Sequence, residues 1–133
     1  MMKVSNKLKP TIGFIGAGNM GLPMIKNLIK KGFQVKAYDI NPKITKRLEK
    51  DNIKAVNNLR AVASNQFIIS ILPDTQNVES VFNNDAGINS YLKPGTIVID
   101  MSTIASSSAI QIGKILQKLQ IEFLDAPVSG GVK

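Results

Sequence analysis

The chain has 133 residues, a formal net charge of +8 and 44% hydrophobic residues, with neither cysteine nor histidine. That length buries one core and fits one domain, and no apolar run approaches the ~20 residues needed to cross a bilayer. The missing residue types exclude disulfides, thiol nucleophiles, thiolate metal sites and histidine general bases.

The leader Met1 to Pro10 has no apolar core and no arginine, so it reads as neither a secretory nor a mitochondrial signal, and the cytoplasm is the expected compartment. The first apolar run, Thr11–Ile15, predicts a strand. It runs into Gly16-Ala17-Gly18-Asn19-Met20-Gly21, and the stretch from Met20 to Ile29 has a helical pattern. A strand entering this glycine pattern brings backbone N–H groups against a pyrophosphate at a helix N-terminus. One glycine makes the tight turn, one leaves room for phosphate, and one lets helix and strand pack closely. The pattern alone is a weak signal, because glycines also serve ordinary turns. A second strand, Gln34–Tyr38, ends at Asp39, at about the twenty-residue offset where an acid bonds the adenosine ribose 2′-hydroxyl.

Asn41 followed by Pro42 predicts a capped second helix with Ile44 and Leu48 on its inner face. Further strands are expected at Lys54–Val56, Phe67–Leu72, Thr96–Ile99 and Glu122–Leu124, with helices between them and a surface loop at Asn83–Gly87. The stretch from Ala105 to Gln120 places Ile110, Ile112, Ile115, Leu116 and Leu119 at helical intervals, and Ser106, Ser107 and Ser108 are expected to cap its entry. Strands alternating with helices predict an α/β fold, a Rossmann-type doubly wound parallel sheet. Asp39, Asp74, Asp100 and Asp125 each follow a strand and are expected to surround one crevice at the carboxyl ends. Asp74 and Asp100 fit an ordinary turn or helix start equally well.

The positive charge raises nucleic acid as a partner. Its distribution argues otherwise: Lys26, Lys30, Lys31, Lys43, Lys46, Arg47, Lys50, Lys114 and Lys118 spread over several helices with almost no aromatic residues among them, as on solvated faces. No nucleic acid and no membrane partner is expected. The reactions of histidine-dependent lactate-type dehydrogenases are excluded. So is the Tyr-x-x-x-Lys arrangement, because neither Tyr38 nor Tyr91 has a lysine four positions later.

Three blocks carry a resemblance. Gly13 to Met24, Asp100-Met101-Ser102-Thr103 and Asp125-Ala126-Pro127-Val128-Ser129-Gly130-Gly131 resemble, in order and spacing, the β-hydroxyacid dehydrogenase family, most closely its 3-hydroxyisobutyrate dehydrogenase branch. The resemblance covers nearly the whole chain. It implies that Gly16, Ala17, Gly18, Asn19 and Met20 hold the pyrophosphate, that Asp39 takes the ribose, and that Leu72, Pro73, Asn77 and Thr103 line the rest of the cofactor site. It further implies that Ser129, Gly130 and Gly131 receive the carboxylate of a small β-hydroxyacid. Ala17, Met101 and Ser106 depart from the common pattern. In the family, the acid–base lysine lies in a later, mostly helical domain. Lys133 is not that lysine, so residues 1–133 are expected to form only the N-terminal nucleotide-binding domain, incomplete at its C-terminal end, truncated and not catalytically competent alone.

NAD is the expected cofactor, since Asp39 repels a 2′-phosphate, with NADP possible because Lys43 and Arg47 lie within reach of one. Self-association is expected through an unpaired edge of the last strand. Two other readings stand beside the dehydrogenase: a non-catalytic dinucleotide-binding module, and a basic nucleic-acid-associated protein that reuses the fold.

Overall fold

The computed structural model describes residues 9–128. In chain order they form β1 (Thr11–Ile15), α1 (Gly21–Lys30), β2 (Gln34–Tyr38), α2 (Pro42–Lys50), α3 (Leu59–Ala63), β3 (Phe67–Ser70), α4 (Thr75–Val81), a short 3-10 turn (Asn89–Tyr91), β4 (Ile97–Asp100), α5 (Ser106–Lys118) and β5 (Glu122–Asp125). The strands make one sheet, all parallel, in the order β2-β1-β3-β4-β5. The chain therefore starts in the middle of its sheet, winds outward to β2, and then crosses to the other side of β1. The order reverses between β1 and β3, where an open α/β sheet leaves a crevice at the carboxyl ends of its strands.

The inner strands β1, β3 and β4 are largely apolar on both faces because helices cover each face. Ile12 and Phe14 of β1 pack with Leu22 and Ile25 of α1 and Leu48 of α2. Ile15, one residue on, points into the opposite cluster, with Val62 of α3, Val78 of α4 and Ile112 and Leu116 of α5. At Gly13 α3 lies close against the sheet, since a Cβ there would stand 2.6 Å from the Val62 side chain and carbonyl oxygen.

The second helix starts as the sequence predicts: the Asn41 side chain accepts from the Lys43 N–H, Pro42 is in the first turn, and Leu48 is fully buried. Other expectations need correction. Lys54–Val56 is not a strand but a single bridge, Ala37 to Ala55, because the chain turns at once into Asn58, whose side chain caps α3. The expected strand to Leu72 stops at Ser70, the partner of Ile15 where β1 itself ends. Thr96 closes the turn before β4 with its hydroxyl donated to the Lys93 carbonyl at 2.7 Å. At α5 the N-cap is Ala105 without a side-chain cap, so Ser106, Ser107 and Ser108 lie inside the first turn, and Ser108 donates instead to Glu79 on α4 at 2.6 Å. Ile110 is 59% exposed, because the buried face of α5 runs through Ser108, Ala109, Ile112 and Leu116.

Candidate functional site

The crevice begins at the β1–α1 turn. Gly16 adopts φ +98°, a left-handed conformation that costs any side-chain-bearing residue, and a Cβ there would collide with the Ile71 carbonyl oxygen of the β3 end. A Cβ at Gly21 would collide with the carbonyl of Gly16, so α1 can close against the turn only as glycine. At Gly18, by contrast, a Cβ would meet nothing within 4 Å. The three glycines thus separate into the roles expected of them: turn, open approach and close packing. The Gly16 N–H is given to the Tyr38 carbonyl at 2.9 Å. Helix α1 starts at Gly21 with neither a side-chain cap nor an acid in its first turn. Uncapped N–H groups and the positive end of the helix dipole face this opening, a natural seat for an anion.

Asp39, half-buried at the end of β2, bridges two backbone groups: the Ala17 N–H donates to Oδ2 and the Asn41 N–H to Oδ1, both at 2.9 Å. The carboxylate therefore shapes the glycine turn as well as facing outward, and its remaining lone pairs stay free to accept from a diol. Around it opens a cleft of about 750 Å³ lined by Gly16, Gly18, Asn19, Met20, Gly21, Asp39, Leu72, Pro73 and Asn77. Its other wall is made by Ile40, Ile44, Leu59, Ser80, Val81 and Ala86, which the sequence reading missed. Ile40 is 84% exposed, and the available sequence signal was an isoleucine directly after the acid that ends β2.

A family model for the NAD-binding domain of 6-phosphogluconate dehydrogenase matches residues 11–133. The chain belongs to this NAD-binding domain family. It is 39% identical over 123 residues to 2-(hydroxymethyl)glutarate dehydrogenase of Eubacterium barkeri, covering 92% of this chain and 41% of that one. It is 39% identical over 125 residues to the mitochondrial 3-hydroxyisobutyrate dehydrogenase of Mus musculus, covering 93% and 37%. A solved structure of Mycobacterium tuberculosis 3-hydroxyisobutyrate dehydrogenase with L-serine superposes with a TM-score of 0.84 at 32% identity, over 92% of this chain and 41% of that one. The chain thus spans about 40% of the length of these relatives.

The coenzyme cradle of an NAD-binding domain fits the residues present: an unfilled space at Gly18, an uncapped helix end and an acid beside them. Two expected site residues lie apart from the cleft lining. Ala17 is 3% exposed and meets the site only through the N–H it gives to Asp39, and Thr103 is exposed beyond β4. Ser129, Gly130 and Gly131 lie outside the described residues.

Of the four strand-end acids, Asp39 alone lines the cleft, which corrects the expected ring. Asp74 caps α4, accepting from the Asn77 N–H at 2.8 Å and its side-chain amide at 2.9 Å. Asp125 is exposed on the outer strand. Asp100 has no solvent exposure, and its Oδ1 accepts from Ser70 Oγ at 2.8 Å, Ser102 Oγ at 2.7 Å and the Ser102 N–H at 3.3 Å. Burial pushes its carboxyl above the ordinary 3.8, the serine hydrogen bonds pull the other way, and the charge of Asp125 adds to the rise.

Among the described residues no three acidic, histidine or cysteine side chains gather to hold a metal ion, and no helix is long and apolar enough to cross a membrane. The basic side chains of α1, α2 and α5 are exposed, and Lys26 pairs with Asp51 at 3.2 Å.

Proposed function

We propose that these 133 residues form the dinucleotide-binding domain of an NAD-dependent dehydrogenase acting on a small β-hydroxyacid of the 3-hydroxyisobutyrate type, with the acid–base residue carried by a helical domain outside them. The observation that carries the reading is the cleft itself, in which an open glycine, an uncapped helix end and an acid converge at the point where strand order reverses. When bound there, NAD supplies the acceptor for the hydride leaving the hydroxyl-bearing carbon. The residues of this chain bind and orient. Gly16 to Met20 offer backbone N–H groups to the diphosphate, and Asp39 accepts from the adenosine diol while its charge disfavours a 2′-phosphate. The apolar side chains of Ile40, Ile44 and Leu59 give the adenine a dry surface. Leu72, Pro73, Asn77 and Thr103 belong to the nicotinamide side, and Ser129, Gly130 and Gly131 to the substrate carboxylate. The names of the relatives support the substrate class.

Titration calorimetry of the folded chain with NAD and NADP tests this. Saturable binding, tighter for NAD, is expected, and no heat with either coenzyme would overturn it. The proposal includes self-association. Strand β5 pairs only with β4 among the described residues, and on the face shared with Phe67 and Ile69, Leu124 is 50% exposed. Sedimentation as a dimer or larger species is expected, and a lone monomer at micromolar concentration would refute that part.

A further inference from the structure

Asp100 is an awkward residue for a purely structural place. It is fully buried at the carboxyl end of β4, and its Oδ2 has no hydrogen-bond partner among the described residues. A buried carboxyl with one bare oxygen is costly, and an apolar side chain of similar size would serve packing better. What the acid does hold is specific. The Leu72 N–H donates to Ser102 Oγ at 2.8 Å, and the Ser102 hydroxyl donates in turn to Asp100 Oδ1 at 2.7 Å. Ser70, the last residue of β3, donates to the same oxygen at 2.8 Å. The segment after β3 and the segment after β4 are thereby tied to one atom.

Resting on the coenzyme reading above, we propose that Asp100 is a positioning residue that sets the nicotinamide half of the site. Asp39 at the end of β2 and the turn after β1 occupy one side of the crevice, and Leu72 and Pro73 line it from the β3 side. A dinucleotide crossing the switch point has its adenosine diphosphate half on the first side and its other half on the second. Asp100 touches neither half. It acts through Ser102, which fixes where the Leu72 backbone, and so the Leu72-Pro73 wall, stands.

The test compares NAD with ADP as ligands for the 133-residue chain by calorimetry. Asp100→Ala and Ser102→Ala are each expected to weaken NAD about tenfold, as loss of a hydrogen bond to a charged group does, while ADP affinity stays within about twofold. Asp100→Asn keeps an acceptor at the Oδ1 place and is expected to restore NAD binding. Should Asp100→Ala not fold, Ser102→Ala, which removes one hydroxyl, carries the test, and amide hydrogen exchange at Leu72 should accelerate in it. Parallel loss of NAD and ADP, unchanged NAD affinity, or no rescue by Asp100→Asn would overturn the proposal. Failure of the wild-type chain to bind either ligand would instead remove the coenzyme reading beneath it.

Discussion

The turn after β1 and the paired ends of β3 and β4 face the same crevice and are built on opposite terms. At the first, side chains are missing: Gly18 faces open space and α1 is left uncapped, so backbone donors remain available to an incoming anion. At the second, polar groups are consumed internally, with the Leu72 N–H, two serine hydroxyls and the Ser102 N–H all committed to a chain ending on Asp100. One region leaves its hydrogen bonds unmade, and the other holds shape because its bonds are made. Asp39 joins the two modes, since it is spent on the Ala17 and Asn41 N–H groups and still faces the cleft.

This contrast can be broken most forcefully at the glycines. Gly16→Ala places a side chain at φ +98° against the Ile71 carbonyl, and a loss of at least about 2 kcal/mol of stability is expected by denaturant unfolding. Gly18→Ala has free space around its Cβ, so stability should stay within about 0.5 kcal/mol while NAD affinity falls. If the two variants lose stability equally, the division of labour among the glycines is wrong.

At Asp39, replacement by alanine is expected to cost NAD about tenfold in affinity and NADP less, measured by calorimetry. The smaller loss for NADP reflects relief of charge repulsion. Because the same carboxylate holds the Ala17 N–H at 2.9 Å, some loss for both coenzymes is expected, and it is the difference between them that reports on the ribose. Equal losses would reduce Asp39 to a brace for the turn.

The smallest effect concerns the closed network. The carboxyl of Asp100 sits above 3.8, chiefly through burial and also through its neighbour Asp125 on β5. The folded chain therefore keeps this proton to higher pH than the unfolded chain does. The contribution is fully present below 3.8 and is lost as pH rises through the interval up to the raised value, staying flat above it. Unfolding free energies of wild type minus Asp100→Asn should accordingly fall from acidic to neutral pH. A difference that rose with pH would show that the serine hydrogen bonds outweigh burial.

Much of the nucleotide half was legible beforehand because its determinants are local. Gly16, Gly18 and Gly21 are read from a turn of a few residues, Asp39 from its offset along the chain, and the α2 cap from Asn41-Pro42. The Lys54–Val56 strand was misread because a short apolar run does not say whether it has neighbours, and only the bridge to Ala37 and the cap at Asn58 decide that. The helical spacing of residues 105–120 announced α5, but it does not say that Ile110 falls on the exposed side.

Sequence alone determined the alternation of strands and helices, the glycine turn after β1 and the acid that ends β2, since each depends on residues close in the chain and on backbone conformations that few residue types permit. Tertiary structure decided which strand-end acids reach the crevice. Asp39, Asp74, Asp100 and Asp125 are alike in sequence, yet one lines the cleft, one caps a helix, one is sealed among serines 30 positions away and at its own loop, and one is left on the outer strand. The physical reason is that a carboxylate takes its role from the donors and the dielectric around it, and those come from segments the fold brings together.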